Sequence, residues 1–205
     1  MASVVDICNL AIANLGGDAV VSAVSPPDGS IEAMHCARFY PVARKAALEL
    51  HEWSFATHRK ALTEVSTTEL PDGWVYAYGL PNKSLRVTRV VTPLTEEGES
   101  EPFKQEALDD GTGVIFTNAE DASAIFIYDE ENPVKFSGLF VIAIARLLSS
   151  FLAGPLIKGK TGSQTAQEQY KLYLTELTIA REKDSSGNQT HKYKDFTPGS
   201  IGARA

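Results

Sequence analysis

One stretch of the sequence has residue types and a spacing that could bind a nucleotide. Residues 154–161, "GPLIKGKT", fit the phosphate-binding pattern G-x-x-x-x-G-K-[ST] at every fixed position, which Gly154, Gly159, Lys160 and Thr161 occupy. In such a loop, backbone N–H groups and a helix N-terminus surround the phosphates, and the lysine reaches the outer ones. The chemistry therefore requires a strand that delivers the glycine-rich turn to the start of a helix.

The sequence around this stretch does not supply that strand. Residues 140–153 have helical character, and the earlier "AIFIYD", which looks like a strand that holds magnesium, lies among short strands without α/β alternation. We therefore interpret the stretch as a connection between two helices, with Gly154-Pro155 as the breaker. Nucleotide binding stays open as an alternative. It predicts magnesium-dependent binding that is lost in Lys160→Ala.

The other reactive side chains form no recognised catalytic or metal-binding pattern. Cys8 and Cys36 lie far apart without a CxxC unit, and the four histidines have no H-x-x-x-H spacing. We expect two buried thiols, no metal, no cofactor and no catalytic residue. Glu49 and Glu52 are a hint of the carboxylate pair that a cell-wall hydrolase needs, but around a helix Glu49, His51 and Glu52 together point different ways.

The composition is that of a soluble globular protein. The 205 residues are 43% hydrophobic and 22% charged, with a formal net charge of -7, which is enough chain for one sizeable core. An acidic chain is a poor candidate for wrapping DNA, because affinity for phosphates comes from clustered lysine and arginine. The most apolar segment, residues 137–156, is interrupted by Arg146, and we expect a buried core helix rather than a membrane span.

Hydrophobic periodicity predicts helices at both ends of the chain and strands between them. The predicted helices span residues 3–15, 30–53, 136–152 and 163–183. Pro41 predicts a kink or a break near Phe39. Short β-branched and aromatic runs over residues 60–132 predict a small, mostly antiparallel sheet. Within it, alternation predicts that Leu85, Val87 and Arg89 face one side of the sheet and that Arg86, Thr88 and Val90 face the other.

These elements predict an α+β fold. We expect a helical bundle formed by the N- and C-terminal helices, with an inserted small antiparallel β domain and an extended C-terminal tail. The predicted boundaries are 1–59 and 134–185 for the bundle, 60–133 for the β domain and 186–205 for the tail. The tail is polar, locally basic and without periodicity, so we expect it to be flexible unless it docks on a partner.

Four stretches together resemble one protein family. They are "ICNLAIANLGG", "ARFYPVARKAALELHEWSFATHRKAL", "WVYAYGLPNKSLRV" and "QEQYKLYLTELTIAREKDSSGNQ". They carry packing signatures rather than catalytic residues, and their order and spacing make the likeness fairly specific. Over nearly the whole chain up to about residue 190, the sequence resembles the tail tubular protein A family of short-tailed bacteriophages, the head-to-tail adaptors.

The resemblance implies a structural protein of the virion tail, assembled in the host cytoplasm, and not an enzyme. Such adaptors form a ring, commonly of twelve subunits, that joins the portal protein to the tail nozzle, a tail tubular protein B-like protein. A tail fibre or spike protein is a further implied partner. DNA passes through the shared channel without sequence-specific binding, and no membrane insertion is implied. The family's fold is a helical bundle with a β-rich portion.

In this family the C-terminal segment reaches along the portal, so the resemblance assigns docking to the basic tail. Apolar and aromatic side chains can anchor such a segment on a partner. The candidate docking residues are Lys192, Tyr193, Lys194, Phe196 and Ile201. An acidic protein around DNA would repel the phosphates and keep the genome mobile. Beside a nucleotide-binding protein and a tail-associated cell-wall hydrolase, a soluble monomeric chaperone of tail assembly stays open.

Overall fold

The chain folds into helices from both of its ends and two small sheets. A computed structural model describes residues 2–18, 20–66, 70–96 and 98–187. The helices are α1 Val4–Ala13, α2 Ile31–Glu49, α3 Gly138–Ile157 and α4 Gly159–Gly187. The strands are β1 Thr57–Ala61, β2 Tyr76–Gly79, β3 Ser84–Val91, β4 Phe103–Ala107, β5 Gly113–Thr117 and β6 Ser123–Tyr128. The predicted α+β class is confirmed, and the tail beyond residue 187 lies outside the described residues.

Serine caps set where three of the helices begin. The Ser3 hydroxyl accepts from the Asp6 N–H at 3.1 Å, and the Asp6 carboxylate accepts from the Ser3 N–H at 2.9 Å, which completes a capping box at α1. The hydrogen bonds that the Asp6 carboxylate accepts from the Ser3 N–H and from the Ser3 hydroxyl lower the pKa of Asp6. Ser30 and Ser137 cap α2 and α3, and each hydroxyl accepts from the backbone N–H of the third helical residue.

Helix α2 passes through Pro41 as one continuous helix, so of the predicted kink or break near Phe39 the break is absent. Proline removes one backbone hydrogen bond from the helix, and its ring crowds the preceding turn. Tyr40 and Arg44 on either side of it are buried against the rest of the protein. Tertiary packing on this face therefore holds the helix together across the proline.

Helix α3 is the centre of the bundle. It contacts α1, α2 and α4, and Phe140, Ile144, Leu148 and Leu152 along it are fully buried. By length and composition α3 is apolar enough to cross a membrane, and half of its apolar window is buried inside the fold. The core helix of a soluble protein passes the same test. We interpret α3 as such a core helix because three other helices cover it.

The two cysteines lie inside this bundle. Cys8 of α1 and Cys36 of α2 are both fully buried, and both thiols are free. A hydrogen bond with Cys36 and burial together raise the pKa of the Cys8 thiol. The expectation of two buried thiols is confirmed, and the pair joins the first two helices.

The β portion consists of two three-stranded antiparallel sheets instead of the single sheet that the sequence predicted. One sheet has the order β1-β6-β3 and the other the order β2-β5-β4. The shared core between the sheets contains Tyr78, Val87, Val90, Ile115, Ala124 and Phe126. Strands β1 and β4 lie at sheet edges, and their side chains, in "THRKA" and "FKQEA", are mostly exposed, so they carry little of the apolar pattern that predicts a strand.

Strand β3 does not keep the alternation that the sequence predicted. Its pairing with β6 shifts around Thr88, which is an extra residue without a partner on β6. Arg86 pairs with Ile127 and Arg89 pairs with Ile125. Because these isoleucines are two residues apart on β6, the two arginines face the same side of the sheet.

The bundle and the sheets are joined by apolar and ionic contacts. Trp53, which follows α2, is fully buried, and its indole N–H donates to the Ala47 carbonyl at 3.0 Å, near the end of α2 where helical carbonyls lack partners. Ile127 of β6 belongs to the bundle core. Arg44 of α2 and Asp129, which follows β6, form a buried ion pair with an Nη2–Oδ1 distance of 2.6 Å.

We expect Arg44→Met to lower the free energy of unfolding by about 3 kcal/mol, because it leaves the Asp129 carboxylate buried with only the half-exposed Lys45 nearby. The double variant Arg44→Met/Asp129→Leu should recover most of that loss. Urea denaturation followed by tryptophan fluorescence measures both. The control Lys83→Met breaks an exposed pair with Glu131 and should cost less than about 1 kcal/mol. Equal losses in the single and double variants would contradict this assignment.

Candidate functional site

The stretch that matches the phosphate-binding pattern forms the end of one helix and the start of the next. Gly154 and Pro155 lie inside α3, so the predicted helix end near Leu152 and the breaker role of the Gly-Pro pair are wrong. Proline is tolerated here because α3 continues for only two more residues, to Ile157. The N–H of Lys158 then donates to the Gly154 carbonyl at 3.0 Å and closes the last turn.

The chain reverses at Lys158. Its φ of 61° and ψ of 169° lie in a region that glycine alone adopts without strain. Helix α4 begins at Gly159, and Gly162 lies so close to α3 that an added Cβ would stand 2.9 Å from the Ala153 carbonyl oxygen. Gly159, with a φ of 60°, is thus explained by the tight reversal, and Gly162 by close helix packing.

In the part of the chain that the structure describes, no strand leads into this reversal. The aspartate that ends "AIFIYD", Asp129, is bound by Arg44 at 2.6 Å and by Lys45 at 3.5 Å. Its charge is therefore already balanced by protein cations. Lys160 is exposed in the first turn of α4. The strand–loop–helix geometry that cradles phosphates is not formed by the described residues, and nothing here favours the nucleotide-binding alternative.

The acidic run that follows β6 forms a structural cluster of ion pairs. Lys135 donates to Glu130 at 2.6 Å, and Lys83 donates to Glu131 at 3.0 Å. The hydrogen bond from Lys83 lowers the pKa of the Glu131 carboxyl, and the same bond raises the pKa of Lys83. Because each carboxylate is held by a cation, the cluster attaches the end of β6 to its surroundings.

The two glutamates that hinted at a hydrolase have different surroundings. Glu49 is exposed at the last position of α2. Glu52 accepts from Arg89 of β3 at 3.0 Å. A glycoside hydrolase needs one carboxyl kept protonated and a second one across the substrate from it. This arrangement gives the hydrolase alternative no support.

Ser54, His51 and Asp184 come together, but in an order that does not activate a nucleophile. Asp184 accepts from the Ser54 hydroxyl at 2.7 Å and from the Ser54 N–H at 3.0 Å, and His51 Nε2 lies 3.3 Å from Asp184 Oδ2. In a catalytic triad the histidine stands between serine and aspartate and takes the hydroxyl proton. Here the aspartate stands in the middle, and it tethers the end of α4 to the segment that follows α2.

The remaining predicted sites are outside the described chain or are not formed in it. Within residues 2–18, 20–66, 70–96 and 98–187, no three side chains of His, Cys, Asp or Glu are grouped so that they could hold a metal ion. The predicted docking residues of the tail lie outside these ranges. They are Lys192, Tyr193, Lys194, Phe196 and Ile201.

One face of α2 presents apolar side chains to solvent. Ile31, Met34 and Val42 are 59%, 51% and 56% exposed, and their spacing puts them on one side of the helix, with the exposed Arg38 between Met34 and Val42; we call these three apolar side chains the α2 stripe. Single exposed apolar residues are common, whereas several on one side of a helix, together with an arginine, have a composition found at protein interfaces. The sequence analysis missed it, because helical periodicity alone does not say which apolar residues stay uncovered.

In comparisons with known proteins, no protein-family model matches the chain, and no curated protein sequence matches it significantly. The function is therefore inferred from the residues, from the fold and from the family resemblance of the four stretches quoted above.

The strained reversal at Lys158 makes a prediction about stability. We expect Lys158→Gly to raise the free energy of unfolding by about 1 kcal/mol, because glycine adopts this backbone conformation freely. Lys171→Gly, the same change at an exposed position within α4, should lower it by about 1 kcal/mol. Urea or thermal denaturation of both variants measures the difference. A loss of stability in Lys158→Gly would contradict the strained conformation.

Proposed function

We propose that this protein is a head-to-tail adaptor of a short-tailed bacteriophage. In this role it forms a ring between the portal protein and the tail nozzle, and DNA passes through the ring. One observation carries the proposal: helices from both ends of the chain form a single bundle around α3, and the β portion is inserted between α2 and α3. This is the layout that the family resemblance implies.

Many polar side chains of the described residues have structural roles, which supports a protein that acts by contacting partners through its surface. Serines cap helices, as Ser3, Ser30 and Ser137 do. Buried or half-buried charges are paired, as Arg44 is with Asp129. These groups position helices and strands through caps, tethers and ion pairs.

The α2 stripe supports self-association. Subunits of a closed ring contact each other through two different surfaces, each repeated around the ring. The α2 stripe, with Arg38 between its apolar side chains and Lys45 one turn beyond Val42, can supply one of these surfaces. The net charge of -7 is compatible with a channel that repels DNA phosphates and lets the genome move.

The proposal predicts a collar of added density below the portal when the protein is mixed with the portal ring of the same phage and viewed by negative-stain electron microscopy. Tyr193→Ala/Phe196→Ala should weaken portal binding by about tenfold or more, because it removes two aromatic anchors of the tail. The matched control is Asp195→Ala/Thr197→Ala, which changes the same segment without removing an anchor. Bare portals at saturating wild-type protein would overturn the adaptor function and reopen nucleotide binding at Lys160.

A second prediction concerns contacts within the ring. Met34→Glu/Val42→Glu should prevent collar formation on the portal while the monomer stays folded, because a charge buried between subunits would lack a partner. Gln164→Glu/Thr175→Glu at exposed positions of α4 is the matched control and should leave the collar intact. Circular dichroism checks folding. A normal collar from the α2 variant would exclude the α2 stripe from the ring contact and leave the adaptor function standing.

A further inference from the structure

Three arginines converge on a groove beside the C-terminal end of α4. The groove has a volume of about 580 Å³ and is lined by Arg86 and Arg89 of β3 and by Arg181 of α4. Its other lining residues are Leu50, His51, Glu52 and Ser185. We call it the arginine groove. A second cavity, of about 610 Å³, shares His51, Arg181 and Ser185 with it and extends it along α4.

The bulge in β3 creates this cluster. Arg89 is the third residue after Arg86, and in a regular strand the two would point to opposite faces of the sheet. The extra residue Thr88 returns Arg89 to the face of Arg86. The two arginines therefore pair with Ile125 and Ile127, which are two residues apart on β6. The expected separation of two such positions along a strand is about 7 Å. Bulges often aim a side chain at a functional site.

The third arginine is fixed by a different element. Asp184 of α4 is tied to Ser54 by the two hydrogen bonds described above, so the last turns of α4 are held next to the segment that follows α2. Arg181 lies three residues before Asp184, about one helical turn away. A strand bulge and a helix tether thus bring guanidinium groups from distant parts of the chain to one groove.

Positive charge in the arginine groove is only partly balanced. Glu52 is the one carboxylate among the lining residues, and it pairs with Arg89 at 3.0 Å. Arg86 and Arg181 form no ion pair with any carboxylate in the described part of the chain. Arg59 of β1 and Arg89 of β3 both pair with Ile125 of β6, which lies between them. Arg59 therefore faces the same side of the sheet and extends its positive charge. A guanidinium group binds carboxylates through two parallel hydrogen bonds, so oxyanions are the matching ligand class.

We propose that the arginine groove binds an acidic peptide segment of a partner protein. The spacing of Arg86 and Arg89 fits an extended segment with carboxylates at positions i and i+2, which lie about 7 Å apart on one side of a strand. A peptide suits the groove better than DNA does. The groove is lined by residues of one strand, one helix and one loop, which is room for a short segment, and the net charge of -7 opposes the many phosphate contacts that DNA affinity needs. This site goes beyond the adaptor function and does not depend on it.

The test uses fluorescence anisotropy with a labelled peptide, Ser-Glu-Ser-Glu-Ser-Glu-Ser, at low ionic strength and the full-length protein. We expect binding that weakens about tenfold in Arg86→Gln/Arg89→Gln and severalfold in Arg181→Gln. The matched control Lys158→Gln/Lys160→Gln removes the same charge elsewhere and should bind like the wild type. A peptide of the same composition with adjacent glutamates, Ser-Glu-Glu-Glu-Ser-Ser-Ser, should bind more weakly than the alternating one.

Any of three results would overturn the proposal. The wild type does not bind the alternating peptide, the arginine and lysine double variants weaken peptide binding equally, or the two peptides bind with the same affinity. Tighter binding of a labelled DNA duplex that depends on Arg86 and Arg89 would assign the groove to nucleic acid instead. Self-association of the free protein that is lost in Arg86→Gln/Arg89→Gln would assign it to a second copy. Circular dichroism checks folding, and Arg181→Gln tests the groove from an independent element.

Discussion

The need to keep α3 out of water governs the rest of the structure. Its apolar side chains surround the helix almost completely, and a helix of this kind is stable in water only when other elements cover it. Helices α1 and α2 come from the start of the chain and α4 from the segment just after the reversal at Lys158. Because the first and last helices must meet around α3, everything between α2 and α3 becomes an insertion. The two sheets are therefore a consequence of helix burial.

The junction between bundle and sheets combines two interactions with different roles. Trp53 and Ile127 extend the apolar core from the helices into the β portion. The pair of Arg44 and Asp129 adds a buried ionic contact, in which each charge needs the other because neither is hydrated. A buried ion pair of this type contributes less net stability than its short distance suggests, but it strongly disfavours any arrangement that separates the partners. The sheets are thereby attached to α2 in a defined way.

Several polar and glycine residues of the described chain have structural roles. Gly159 serves a chain reversal, and Asp184 holds a helix end in place. Two surface features of the described residues are not explained by folding: the α2 stripe and the incompletely balanced arginine groove. Both are the kinds of surface that protein partners cover. A ring adaptor meets neighbours of its own kind and other tail proteins, so both surfaces have a place in that role.

The sequence by itself determined the element types, the α+β class and the two buried thiols, because caps and hydrophobic periodicity are local signals. It also marked residues 137–156 as a core helix. The tertiary structure decided what local patterns do not encode. Packing carried α2 through Pro41 and α3 through Pro155, and pairing divided the strands into two sheets. The bulge at Thr88 brought Arg86 and Arg89 to one face, where α4 adds Arg181. Register and helix ends depend on contacts between residues far apart in the chain, and no local pattern specifies those contacts.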